Sequence, residues 1–126
     1  MSRRGEKTVV ITGASRGIGR AVAIELSKSN LFGNIVLVAR TEQDLVHTKR
    51  LMTKVPNVSL EVADLENSTE TVELVRRISK KYECIEVLVN VAGFVNPKSL
   101  LDMDLENWEK TFSVNVTSVF LLTREV

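Results

Sequence analysis

The residues best suited to chemistry lie together near the amino end, in Thr12-Gly13-Ala14-Ser15-Arg16-Gly17-Ile18-Gly19. A β-branched run, Thr8-Val9-Val10-Ile11, leads into this stretch, and apolar residues return at helical spacing at Ile18, Ala21, Val22 and Leu26. A buried parallel strand that passes through a glycine-rich turn into a helix gathers several backbone N–H groups and the helix's positive end at one point. That geometry suits a diphosphate. Gly13 permits the tight turn, Gly17 a close backbone approach to a ligand, and Gly19 the packing of helix on sheet. The spacing is G-x-x-x-G-x-G, which departs from the usual dinucleotide fingerprint and lacks the Gly-Lys-Ser/Thr ending of a P-loop. Taken alone, such a turn leaves nucleotide binding and a purely structural turn both open.

The ends of three further strands carry the other candidates. Ile35-Val36-Leu37-Val38-Ala39 is a second buried strand and ends in Arg40, with no carboxylate. Arg40 offers a permanent fork of donors at that end. Arg16 adds a second positive charge; the plain alternative for Arg40 is a surface arginine at a strand end. The third strand, Val58-Ser59-Leu60-Glu61-Val62-Ala63, is followed by Asp64 and Leu65. The fourth, Cys84-Ile85-Glu86-Val87-Leu88-Val89, closes with Asn90-Val91-Ala92-Gly93, and Cys84 is read as a packed small hydrophobe.

Helices must connect these strands. The first runs to about Lys28, before the turn formers Ser29-Asn30 and Phe32-Gly33-Asn34. Thr41 with Asp44 predicts a capping box for a helix to about Met52, and Asn67 with Glu70 predicts another for a helix burying Val72, Val75, Ile78 and Tyr82. Asp104 predicts the cap of one long helix reaching about Glu125, with Trp108, Phe112, Val116 and Phe120 on its apolar face. Asn115 is a polar residue within that helix, where a hydrogen bond at a kink would account for it. Four strands alternating with four helices predict a parallel sheet of order 3-2-1-4, open at a switch point between the first and fourth strands.

The 12–19 string, together with Asn90-Val91-Ala92-Gly93 and Asn115, resembles the short-chain dehydrogenase/reductase family, from Thr8 to about Val126. The resemblance implies an α/β, Rossmann-type doubly wound sheet in three αβα layers and an NAD(P) cofactor. It implies that Gly13, Ser15, Arg16, Gly17, Ile18 and Gly19 meet the cofactor, that Arg40 stands at the adenosine ribose, and that Asp64 and Leu65 border the adenine. At the cofactor site Asn90 would help hold the central sheet together, and Ala92 and Gly93 would let the cofactor approach the backbone, although Val91 stands where the family commonly has a second asparagine. Asn115 matches the asparagine that kinks its helix and holds a water in the proton relay. The two arginines favour NADP over NAD.

The resemblance further implies hydride transfer between nicotinamide and a carbonyl or secondary alcohol, in an oligomer built through the 104–125 helix. The Ala39-Arg40-Thr41-Glu42 join is similar to carbonyl reductases of the sepiapterin or benzil reductase kind. The family's catalytic serine and Tyr-x-x-x-Lys motif are not found here: Tyr82, the single tyrosine, is followed by Glu83-Cys84-Ile85-Glu86. Residues 1–126 are therefore expected to form the nucleotide-binding half of a reductase about twice as long, truncated after the fourth βα unit. The competing expectation is a catalytically inactive module that binds a nucleotide or a protein.

Composition narrows the remaining classes. A chain of 126 residues accommodates one core, and 17 basic against 16 acidic residues give a net charge of +1, no general case for nucleic acid or a membrane surface. Arg3, Arg4 and Lys7 are read as a solvated lead-in. No apolar stretch approaches the roughly 20 residues that cross a bilayer. Cys84 is the only cysteine, so an internal disulfide is impossible and a reducing, cytoplasmic setting is expected. His47, the only histidine, is read as a surface helix residue, and no metal site is expected.

Overall fold

The computed structural model describes residues 7–126, so Arg3 and Arg4 lie outside the described residues, while Lys7 is exposed. The elements are β1 (Thr8–Thr12), α1 (Gly17–Lys28), β2 (Asn34–Ala39), α2 (Glu42–Leu51), β3 (Asn57–Val62), α3 (Ser68–Lys81) and β4 (Val87–Val89), then α4 (Leu105–Phe112), a π-helical segment (Ser113–Thr117) and α5 (Ser118–Glu125). The strands form one parallel sheet in the order β3-β2-β1-β4, as the alternation predicts. Val9 pairs with Ile35 on one side and with Val87 on the other.

All five residues of β1 are buried, because helices cover both faces of the sheet. Side chains alternate between those faces with the two-residue period of a strand. Val10, Val36 and Val38 pack against Leu74, Val75 and Ile78 of α3 and Leu122 of α5. Val9, Ile11, Ile35 and Leu37 face the opposite way, toward Ala23 of α1 and Leu45 of α2. Three layers result.

Local details depart from expectation where distant partners intervene. Thr41 makes no side-chain cap bond to α2; its carbonyl accepts from the Leu45 N–H at 3.3 Å, so the helix starts on backbone bonding alone. Asn67 does cap α3, accepting from the Glu70 N–H at 3.0 Å, but the Glu70 carboxylate accepts from the Asp64 N–H at 3.2 Å instead of closing the box. The buried stripe of α3 is Thr71, Leu74, Val75 and Ile78, in place of one running through Val72. Thr71 can be buried because its hydroxyl donates to the Asn67 carbonyl at 3.0 Å. Tyr82 lies just beyond the helix, half-buried against the same core, with its hydroxyl 2.5 Å from Ser59 Oγ.

The fourth strand is shorter than expected, and Cys84 is exposed in the connection before it. That connection is anchored by Glu86, whose carboxylate accepts from the Thr8 N–H at 2.7 Å, leaving Cys84 no place in the core. The negative charge of Glu86 raises the thiol pKa above its ordinary value, which disfavours the reactive thiolate. His47 is exposed on α2, as expected. The anticipated long helix is interrupted: Asp104 caps α4 by accepting from the Asn107 N–H at 2.7 Å, but five residues from Ser113 wind as a π-helix before α5.

The seam between β1 and β4 is closed by Thr12. Its buried hydroxyl oxygen accepts from the N–H groups of Val91 and Ala92, each at 3.1 Å. Thr12→Val retains the shape and strands both donors, so it is expected to lower unfolding free energy by about 1–3 kcal/mol. Thr12→Ser, which retains the oxygen, is expected to lose less; denaturant unfolding of both variants checks the comparison.

Candidate functional site

A parallel sheet opens a crevice at the carboxyl ends of its strands where the topology reverses. Here the reversal lies between β1 and β4, and a cleft of about 320 Å³ occupies it. The β1–α1 turn contributes Gly13, Ser15 and Arg16, and the start of α1 contributes Gly17, Ile18 and Gly19. Arg40 enters from the end of β2, and Asp64 with Leu65 from the end of β3. Ala92 and Gly93 close the side nearest β4. Two of the expected residues stand apart from the lining: Asn90, exposed just beyond β4, and Asn115, which acts on the cleft through Phe94.

The turn is shaped by contacts that only glycine permits. Gly13 has φ +64°, and a Cβ there would lie 2.7 Å from the Ala92 nitrogen. A Cβ on Gly19 would lie 1.9 Å from the Gly13 carbonyl oxygen. The tight approach at Gly19 is therefore to the turn itself, a correction to its expected role of seating helix on sheet. A Cβ on Gly17 would meet nothing within 4 Å, so that side of the turn is open. Arg16 occupies the N-cap of α1 without a capping side chain, and the first turn holds no acidic residue. The first N–H groups of α1 thus carry positive potential that no side chain of the helix neutralises. Ile18, on that first turn, is 74% exposed and presents an apolar wall.

Charge reinforces this. Arg16 and Arg40 are both exposed, and among the described residues neither forms an ion pair. Asp64 is held by its surroundings: its Oδ1 accepts from the Glu66 N–H at 3.0 Å, while its own N–H is held by Glu70. Leu65 beside it is buried. Asn115 sits in the π-helical segment and grips Phe94 from both sides, Oδ1 accepting from the Phe94 N–H and Nδ2 donating to the Phe94 carbonyl, each at 2.7 Å. Around Asn115, where a kink is expected, the chain winds as a π-helix, and the Asn115 side chain fixes the loop that forms the cleft wall.

Sequence reasoning missed Phe94, Lys110 and Val114, which also line the cleft. Lys110 Nζ lies 4.5 Å from the Phe94 ring centroid and 3.7 Å from the Glu66 carboxylate, joining α4 to the loops after β4 and β3. The available signal was the four-residue spacing of Lys110 and Val114 within the helix expected over 104–125. A larger hollow of about 970 Å³ lies at the opposite end of the sheet, among residues such as Thr8, Lys49 and Lys81. It borders the carboxyl ends of α2 and α3, whose dipoles disfavour an anion, and Lys81 there is already engaged with Ser59 Oγ at 2.7 Å. Among the described residues no cluster of three or more His, Cys, Asp or Glu could hold a metal, and no helix is long and apolar enough to cross a membrane.

Residues 7–126 match the family model described as short chain dehydrogenase. A 3-oxoacyl-acyl-carrier-protein reductase of Synechocystis is 34% identical over 124 residues, covering 95% of this chain and 49% of that protein. A metagenomic short-chain oxidoreductase solved in complex with NADP superposes with a TM-score of 0.83 at 30% identity, covering 94% of this chain and 54% of the other. A short-chain dehydrogenase from Sphingobium yanoikuyae in complex with NADPH gives 0.84 at 29% identity, covering 96% and 47%. The chain spans about half the length of the curated relatives it matches. Because the family match extends from the start of β1 through α5 and the superposed backbones follow the same path, this chain belongs to the short chain dehydrogenase family.

Proposed function

We propose that this chain forms the NADP(H)-holding half of an oxidoreductase acting on a carbonyl or secondary alcohol. The observation that carries the reading is the pair of exposed arginines, Arg16 in the turn after β1 and Arg40 just after β2, neither of them in an ion pair among the described residues. The cradle fits a dinucleotide: a turn too tight for any Cβ at Gly13, an uncapped helix start and small residues at Ala92 and Gly93. Two solved relatives hold NADP or NADPH, which supports the same cofactor here. When bound, the cofactor supplies or accepts the hydride.

Each residue then has a physical task. Amides at the start of α1, from Gly17 to Gly19, hold the diphosphate, and Ser15 borders it. Arg16 and Arg40 hold the 2′-phosphate with charge-assisted bonds. Asp64 accepts from the adenine amine while Leu65 packs on the base. Asn90 steadies the end of β4, and Ala92 and Gly93 admit the cofactor close to the backbone. Asn115 holds the Phe94 wall and contributes a water contact to the proton path. Tyr82 is not the proton donor: it lies near the amino end of the sheet, with its hydroxyl engaged by Ser59. The donor is assigned to the whole protein, where the family pattern places a tyrosine and lysine. Substrates of the sepiapterin or benzil reductase kind are the first to try, with 3-oxoacyl thioesters next because of the Synechocystis relative's name.

The exposed Trp108, Phe112, Val116 and Phe120 form an apolar stripe along α4 and α5, with Trp108 and Phe112 rings 4.9 Å apart. A second copy of the protein is the proposed occupant.

Arg40→Ala is expected to raise the NADPH dissociation constant about tenfold or more while NADH changes less than about twofold, since one charged hydrogen bond contributes about 1.5–3 kcal/mol. Fluorescence titration with both cofactors checks this, and equal losses would remove the 2′-phosphate role. In the whole protein, Asn115→Ala is expected to slow turnover by more than it weakens NADPH binding; steady-state kinetics beside the same titration separates the two. In the whole protein, Phe112→Glu is expected to shift a dimer to monomer in sedimentation velocity, whereas an unchanged dimer would place the interface elsewhere.

A further inference from the structure

Arg20 stands behind the glycine turn, outside the cleft lining. Its Nη2 donates to the Ser15 carbonyl, its Nε donates to Thr48 Oγ1 at 3.0 Å, and Nη2 also reaches the Asp44 carbonyl at 3.5 Å. Thr48, on α2, is 0% exposed. Its oxygen lies 2.8 Å from the Ala14 carbonyl and 3.2 Å from the Asp44 carbonyl. A hydroxyl has one proton to donate. With Arg20 donating to Thr48 Oγ1, the Thr48 proton goes to the nearer acceptor, Ala14. One guanidinium thereby holds two consecutive carbonyls, Ser15 directly and Ala14 through Thr48.

The geometry of the peptide bond turns this anchorage into an orientation. In a trans peptide each carbonyl points opposite to the N–H that follows it. Carbonyls of Ala14 and Ser15 drawn toward Arg20 and Thr48 direct the N–H groups of Ser15 and Arg16 the other way, toward the cleft that those two residues line. Ala14 is held from the sheet as well, because its N–H donates to the Val38 carbonyl at 3.1 Å. The relay also spans α1 and α2, the two helices that the exposed arginines precede. Arg16 follows the anchored Ser15, and α2 begins two residues after Arg40.

We propose that the Arg20–Thr48 relay is a positioning device that sets the separation of Arg16 and Arg40, and so the discrimination between NADPH and NADH. This rests on the reading of Arg16 and Arg40 as the 2′-phosphate clasp. Loss of the relay frees the Ser15–Arg16 peptide to rotate, which weakens the clasp while the α1 amides retain the diphosphate.

The test is titration of NADPH and NADH into the purified wild-type protein and the Arg20→Met, Arg20→Lys and Thr48→Val variants, with thermal unfolding alongside. Arg20→Met is expected to weaken NADPH binding about tenfold and Thr48→Val about threefold, with NADH changed less than about twofold in either. Arg20→Lys, which retains one donor, is expected to fall between wild type and Arg20→Met. The double variant Arg20→Met with Thr48→Val is expected to bind NADPH no more weakly than Arg20→Met alone, because the two residues act in series. Equal weakening of both cofactors, or an unchanged ratio, overturns the relay. Should Arg20→Met fail to fold, Arg20→Lys and Thr48→Val decide the matter by the same ratio. A wild-type protein without NADPH preference overturns the clasp and the relay together, whereas a preference lost in Arg40→Ala but intact in the Arg20 and Thr48 variants overturns the relay alone.

Discussion

The closeness of two backbones at the ends of β1 and β4 governs the structure. A Cβ on Gly13 would stand 2.7 Å from the Ala92 nitrogen, and the Thr12 oxygen bridges the same gap to the amides of Val91 and Ala92. From this contact the chain leaves toward α1 on one side and toward the Phe94 loop on the other. The divergence makes the cleft. Any side chain at Gly13 would separate the strands at the point where the helix start must face open space.

The rest of the fold holds that contact under load from both faces of the sheet. Val10, Val36 and Val38 are packed beneath α3 and α5, and Val9, Ile11, Ile35 and Leu37 beneath α1 and α2. Neither set can move without disturbing close-packed neighbours. Rigidity in the strands leaves orientation to the loops, and the loops are oriented by polar side chains. Glu70 ties the end of β3, Asn115 ties the loop after β4, and Thr48 ties the turn after β1. Each strand end that borders the cleft on these three sides is thus held by a side chain outside the lining.

Sequence made visible those features that depend on neighbours along the chain. The 12–19 turn and the caps at Asn67 and Asp104 follow from residues within a few positions of one another, and the strand order from the alternation of strands and helices. It failed where a distant group decides the outcome. Cys84 reads as part of an apolar strand, yet Glu86 is drawn to the Thr8 amide, 78 positions away, and the strand starts only at Val87. Thr41 and Asp44 have the spacing of a capping box without the bond. Phe94 is held in the cleft by Asn115 and Lys110, and Lys110 by Glu66, contacts between segments far apart in sequence. The π-helical segment likewise has no signature in apolar spacing, although Asn115 marked its position.

That segment faces two ways. Asn115 reaches inward to both polar groups of the Phe94 backbone, and Val116, the next residue, is 54% exposed beside the aromatic stripe of α4 and α5. One wide turn is therefore shared by a wall of the cleft and an outer helical face. A substitution that alters the winding of this turn therefore changes the cleft wall and the outer face together.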